Sequence, residues 1–202
     1  MSEAIAPPGS VWSHRAFALY WVGRIVSILS FQMLLVAIGW QLYVLTGSAL
    51  DLGLLGLAQF VPMLVLTLIV GHVADRYDHR HILLACQLLG AAAAAVLALG
   101  TAMGWLDPLA IYVIVALLGA ARAFEIPTMV AIIPALVPRT LVPAATAWFA
   151  TANQAGGIAG PVLGGLLYGL GPSVVYGLAI VLWCVGASFI FMMRMERTPR
   201  RA

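Results

Sequence analysis

Residues Ile82–Trp105 read ILLACQLLGAAAAAVLALGTAMGW. Gln87 and Thr101 are the strongly polar side chains of this run, and it holds no charge. A helix rises 1.5 Å per residue, so the stretch reaches about 36 Å and can cross a hydrocarbon layer of about 30 Å. The segment before it, DRYDHRH at Asp75–His81, is dense in charge, and the segment after it, GWLDP at Gly104–Pro108, has turn chemistry. A charged edge, a long uncharged run and a turn together predict a helix that starts at one membrane surface and ends at the other.

Working outward, the same pattern recurs. Apolar runs cover residues 17–44, 52–73, 82–105, 109–133, 144–170 and 172–193. Each is close to or above the roughly 20 residues a spanning helix needs. Spanning β-strands are excluded, because they would be shorter and would alternate polar with apolar. The breaks are short: TGSALD at Thr46–Asp51, PRTLVP at Pro138–Pro143 and GLGPS at Gly169–Ser173, besides the two already quoted. Short links make neighbouring helices antiparallel. The expected organisation is a tail over 1–16, a six-helix bundle over 17–193 and a second tail over 194–202.

Composition agrees. Of the 202 residues, 63% are hydrophobic and 8% are charged, against about 25% charged in a soluble domain. Too few polar groups remain to cover a water-facing surface. All ten basic residues are Arg, scattered singly and in pairs between apolar runs. A nucleic-acid binder gathers such charges into one patch, so nucleic acid is not an expected partner. Cys86 and Cys184 each lie within an apolar run and have no CxxC partner, so both are expected as free thiols packed like small apolar residues. The first ten residues, MSEAIAPPGS, lack the basic start of a cleavable signal.

The arginines orient the bundle. Arg15, Arg76, Arg80, Arg139, Arg194, Arg197, Arg200 and Arg201 all fall on one side of the six runs. The opposite links carry Asp51 and Asp107 but no Arg. Positive charge is retained on the cytoplasmic side, so both termini are expected there.

Three charges remain inside the runs. Arg24 lies about two turns into the first, and Arg122 and Glu125 lie near the middle of the fourth. A charge at mid-membrane costs about 2.5–3.5 kcal/mol on insertion scales, so such groups turn toward a bundle interior or a wet cavity. Arg122 and Glu125 are three residues apart on one helix face and are expected to pair. Arg24 has two open readings, a pathway residue or a side chain snorkelling to the headgroups. With Asn153 and Gln154 these charges form the candidate pathway, expected on an exposed inner face of the first, second, fourth and fifth helices. Gln32, Gln41 and Gln59 are candidates for interhelical hydrogen bonds. The fifth run holds Gly156, Gly157, Gly160, Pro161, Gly164 and Gly165, a small-residue face that permits close helix contact, with a proline that can kink the helix.

The run GHVADRYDHRHILL, Gly71–Leu84, resembles the loop between helices 2 and 3 of major facilitator superfamily transporters, G-x-x-x-D-R-x-G-R-R. Gly71, Asp75, Arg76 and Arg80 match; Asp78 stands where many members have Gly, and His79 replaces one base. GGIAGPVLGG, Gly156–Gly165, is similar to the antiporter motif G-x-x-x-G-P-x-x-G-G, through Gly156, Gly160, Pro161, Gly164 and Gly165. TGSALDLG at Thr46–Gly53 and PALVP at Pro134–Pro138 look like the siderophore and macrolide exporter branch. The resemblance implies an all-α membrane protein built of two three-helix repeats and equal to the N-terminal half of a 12-helix fold. It implies a proton-coupled exporter of hydrophobic or amphipathic small molecules such as drugs or siderophores, in a bacterial inner membrane. The helix 2–3 loop would latch this half to the other. The partners expected are the bilayer, a small-molecule substrate, protons, and a second six-helix half or a second copy.

Other classes stay open. A non-transporting assembly subunit and half of an uptake transporter are compatible with six helices. An intramembrane enzyme needs a Ser–His pair or two Asp at depth. All four His lie near one surface and the Asp residues lie at helix ends, so no catalytic residue is assigned and no cofactor is expected. His72, His79, His81 and Asp75 match no standard metal spacing, so no metal is expected.

Overall fold

A computed structural model of the chain describes residues 10–74 and 78–193. Among them are six long α-helices: α1 (Arg15–Thr46), α2 (Ala49–Ala74), α3 (His79–Met103), α4 (Pro108–Leu136), α5 (Val142–Tyr168) and α6 (Pro172–Met192). Two short 3-10 turns, Val11–Ser13 and Arg139–Leu141, precede α1 and α5. No strand occurs among the described residues.

Local chemistry explains the ends. Asp78 caps α3, its Oδ1 accepting the Arg80 N–H at 2.9 Å, and Asp107 caps α4 by accepting the Ala110 N–H at 2.7 Å. A cap satisfies one of the donors that a helix start leaves unpaired. Asp107 is therefore more than the loop acid its sequence context implied. Gly47 and Gly104 end α1 and α3 with φ of 66° and 72°, a left-handed backbone that glycine adopts without penalty. Proline opens α4 and α6 and sits in the first turn of α5, where no amide hydrogen is needed. Pro62, Pro127, Pro134 and Pro161 lie inside helices that continue past them.

Among the described residues, five helices are both long and apolar enough to cross a membrane: α1, the Ala49–Leu68 part of α2, α3, α4 and α6. The chain is an all-α membrane protein. Helix α5, at 27 residues, is also long enough, but Asn153, Gln154 and its glycines and proline lower its hydropathy.

Helix α1 packs most extensively on α5 and α6, α2 packs on α4, and α3 packs on α6 and α4. One apolar cluster includes Leu34, Ile38, Leu97, Val115 and Tyr176. A second, toward the Arg15 end of α1, includes Phe17, Tyr20, Leu83, Met129 and Ile190. The outside is also apolar: Leu57, Leu68, Leu99, Ile158, Leu166 and Phe191 are all more than half exposed. An exterior of this kind has lipid as its solvent.

Part of the expected N-terminal tail is packed. Val11 is buried, and the Trp12 ring meets those of Phe17, Trp21 and Trp148 edge-on at 5.8, 5.0 and 4.9 Å between centroids. Trp21 Nε1 donates to the Trp148 carbonyl at 2.9 Å. Aromatic side chains of this kind concentrate at membrane–water boundaries. The expected C-terminal tail, 194–202, lies outside the described residues.

Candidate functional site

The charges of the helix interiors meet at one place. Helix α1 contributes Arg24, Ser27 and Phe31, whose spacing of three and four residues puts them on one face. Helix α4 contributes Arg122 and Glu125, and α5 contributes Asn153. Glu125 Oε1 accepts from Arg24 Nη1 at 3.1 Å and from the Ser27 hydroxyl at 2.9 Å. Its other oxygen, Oε2, accepts from Arg122 Nη1 at 3.0 Å. Arg24 turns its remaining edge to α5, where Nε and Nη2 donate to Asn153 Oδ1 at 2.9 and 2.6 Å. Aromatic rings complete the surroundings, with Phe149 5.4 Å from the Arg24 guanidinium and Phe31 4.5 Å from that of Arg122. Tyr20, one turn before Arg24, donates to the Met129 carbonyl at 2.8 Å.

One carboxylate thus stands between two guanidiniums, and the cluster carries one net positive charge. Ion pairs at low dielectric hold only if each member is hydrogen-bonded. Glu125 meets that condition with three donors. The arrangement fixes α1, α4 and α5 relative to one another at depth.

Two expectations change here. Arg24 neither snorkels nor lines an exposed face: it is 3% exposed and Glu125 is 6% exposed. Burial follows from the acceptors that α4 and α5 supply, which a view of α1 alone cannot reveal. The local Arg122–Glu125 pair exists, but it is one side of a three-way arrangement. Gln154, expected beside Asn153 in the pathway, is exposed and outside the cluster, because adjacent helical residues point about 100° apart. Ser27 and Phe31 were legible only as partners of Arg24 at helical spacing.

The fifth-helix glycines divide. Gly156, Gly160 and Gly164 are buried. A Cβ on Gly156 would collide with Ile28, one on Gly160 with Gln32, and one on Gly164 would stand 2.9 Å from Met33 Cα and O. Gly165 has nothing within 4 Å of an added Cβ, and Pro161 is half-buried between the two faces. The close approach of α5 to α1 is what carries Asn153 to Arg24.

In the α2–α3 region, Gly71 lies in the last turns of α2, and Asp75 and Arg76 lie outside the described residues. Asp78 is the α3 cap. Arg80, a match to the helix 2–3 loop motif, reaches α6: Nη2 donates to the Phe191 carbonyl and the guanidinium lies 5.0 Å over the Phe191 ring. Asp51 accepts from the Tyr112 hydroxyl at 2.7 Å, joining α2 to α4. Of the three glutamines expected to bond between helices, Gln41 bonds to Thr101 at 2.9 Å and accepts from Tyr176. Gln32 and Gln59 make no side-chain hydrogen bond among the described residues. Cys86 and Cys184 are free thiols.

The family model described as transmembrane secretion effector matches residues 6–202. The chain belongs to this major facilitator superfamily branch. Among curated relatives of this major facilitator protein, macrolide efflux protein A of Streptococcus pyogenes is 28% identical over 152 residues, 75% of this chain and 38% of that protein. The enterobactin exporter EntS of Salmonella typhimurium is 29% identical over 197 residues, covering 93% of this chain and 44% of its own length. EntS of Escherichia coli O127:H6 is 31% identical over 176 residues, or 83% and 40%. The chain therefore spans about two-fifths of the length of these relatives, and by name they are transporters rather than enzymes.

Proposed function

We propose that this chain is the N-terminal, six-span half of a proton-coupled secondary transporter that exports amphipathic small molecules from a bacterial cytoplasm, with both ends cytoplasmic. The observation that carries this reading is the Arg24–Glu125–Arg122 cluster, buried in the interior of a helix bundle with an apolar exterior. Ionisable groups at membrane depth mark ion and substrate pathways. A macrolide and enterobactin are named for the relatives and are the first substrates to try.

The packing pattern supports two three-helix repeats. Exchanging α1 with α4, α2 with α5 and α3 with α6 turns the α1–α5 contact into α4–α2, turns α1–α6 into α4–α3, and leaves α3–α6 unchanged; all are principal contacts of the fold. Repeats of this kind surround transport sites near the bilayer midplane. The chain spans about two-fifths of its relatives, so the second wall of the pathway belongs to another six-helix half or a second copy. In that assembly α5 is the sixth span.

Everted vesicles containing the complete transporter test the function. Macrolide or enterobactin should accumulate when a proton gradient is applied, and Glu125→Gln at equal expression should abolish accumulation. Accumulation that persists after the gradient is collapsed would end the proton-coupled reading. For topology, cysteines at Ser48 and Asp107 should react with an impermeant reagent from outside intact cells, and one at His79 should not.

A further inference from the structure

The two arginines of the cluster are not equivalent. Each nitrogen of Arg24 has an acceptor: Nη1 on Glu125, Nε and Nη2 on Asn153. Arg122 gives Glu125 only Nη1. Its Nε and Nη2 meet no acceptor among the described residues, and its side chain is 13% exposed against 4% for Arg24. Those two nitrogens form one edge of the guanidinium, the edge that receives both oxygens of a carboxylate in parallel. Phe31 lies 4.5 Å from the guanidinium carbon and holds the plane by a cation–π contact. The free edge is thus presented in a fixed orientation.

Charge balance points the same way. One carboxylate neutralises one of the two guanidiniums, and the excess positive charge sits midway along α4, where an uncompensated charge is unfavourable. Further along the same helix, Ile126 and Val130 are 39% and 49% exposed. They lie one and two turns beyond Arg122 and continue its side of α4 as an apolar strip.

We propose that Arg122 is the recognition group for an amphipathic organic anion. The carboxylate or similar oxyanion of the ligand accepts from Nε and Nη2, and its apolar body lies along Ile126 and Val130. Arg24 is the positioning partner that holds Glu125, so that Glu125 aligns Arg122 without consuming its outer edge. The inference refines the exporter reading by naming a substrate class, and it rests on that reading only for the ligand's fate.

The test is binding to the 202-residue chain in lipid nanodiscs, with empty nanodiscs as the blank. The probes are 4-butylbenzoate and its cationic counterpart 4-butylbenzylammonium, followed by saturation-transfer NMR. The benzoate should bind saturably and the ammonium should not. Arg122→Gln should weaken benzoate at least tenfold, and Arg122→Lys, a point charge without the fork, should fall between. Ile126→Glu places a carboxylate one turn from Arg122 and should block the probe in a chain that keeps its fold, so the test survives a failure of Arg122→Gln to fold. Equal binding of the two probes, or unchanged benzoate binding in Ile126→Glu and Arg122→Gln, would overturn the proposal. Vesicle transport separates the two readings: export of cations alone, with no benzoate binding, sinks the anion site and spares the exporter. Saturable benzoate binding with no export by the complete transporter does the reverse.

Discussion

Helix α1 carries two buried polar clusters, and they are built differently. Around Arg24 the groups are ionic and come from α1, α4 and α5. Around Gln41, about 25 Å further along the helix at 1.5 Å per residue, they are neutral and come from α1, α3 and α6: Gln41 donates to Thr101 and accepts from Tyr176, and Thr101 also donates to the Leu97 carbonyl at 2.7 Å. The neutral cluster closes on itself, since both ends of the Gln41 amide are used. The ionic cluster leaves one guanidinium edge open. A closed network ties helices together and has nothing to offer a ligand. An open one inside a helix bundle costs stability and is expected where function requires it.

The largest expected effect lies in the ionic cluster. Glu125→Gln removes the one anion from between the buried Arg24 and the partly buried Arg122. Breaking a buried pair this way costs about 3–5 kcal/mol, so the thermal transition of the purified chain in detergent should fall well below that of wild type. A change no larger than that of Gln41→Leu would erase the distinction between the clusters.

A mutant cycle sharpens it. Arg24 is more buried than Arg122 and shares Glu125 with it, so coupling to Glu125 should be stronger for Arg24. The double change Arg122→Gln with Glu125→Gln should recover little stability, because Arg24 would keep only Asn153. Full recovery would mean that Arg24 does not depend on Glu125.

The glycine contact is the next test, because it brings α5 to α1. Gly164→Leu drives a side chain into the Met33 backbone, whereas Gly165→Leu enters open space. The first should cost about 1–3 kcal/mol as overpacking and should block transport in the complete protein without preventing insertion. The second should be near wild type in stability. If the two behave alike, the α1–α5 approach does not depend on Gly164.

The smallest effect belongs to the neutral cluster. Hydrogen bonds between membrane helices contribute about 0.6 kcal/mol on average and about 1.7 at most. Gln41→Leu should therefore lower the melting point slightly and leave probe binding at Arg122 unchanged. Loss of that binding would show that the two ends of α1 are coupled.

The amino-acid sequence by itself determined the solvent and the elements. Hydropathy and length are properties of consecutive residues, so the run Ile82–Trp105 could be recognised as a spanning helix with no partner in view. The Arg122–Glu125 pair was equally legible, since three residues of helix set their distance. Only the tertiary structure decided that Arg24, 101 residues away, shares that carboxylate, and that Asn153 joins it while Gln154 does not. Those contacts depend on which helices are neighbours and how each is rotated. Single apolar runs carry almost no record of either, because lipid and protein interior accept the same side chains. Gly156, Gly160 and Gly164 announced that α5 would meet something closely. That it meets α1, and so completes the site, follows from the packing of all six helices at once.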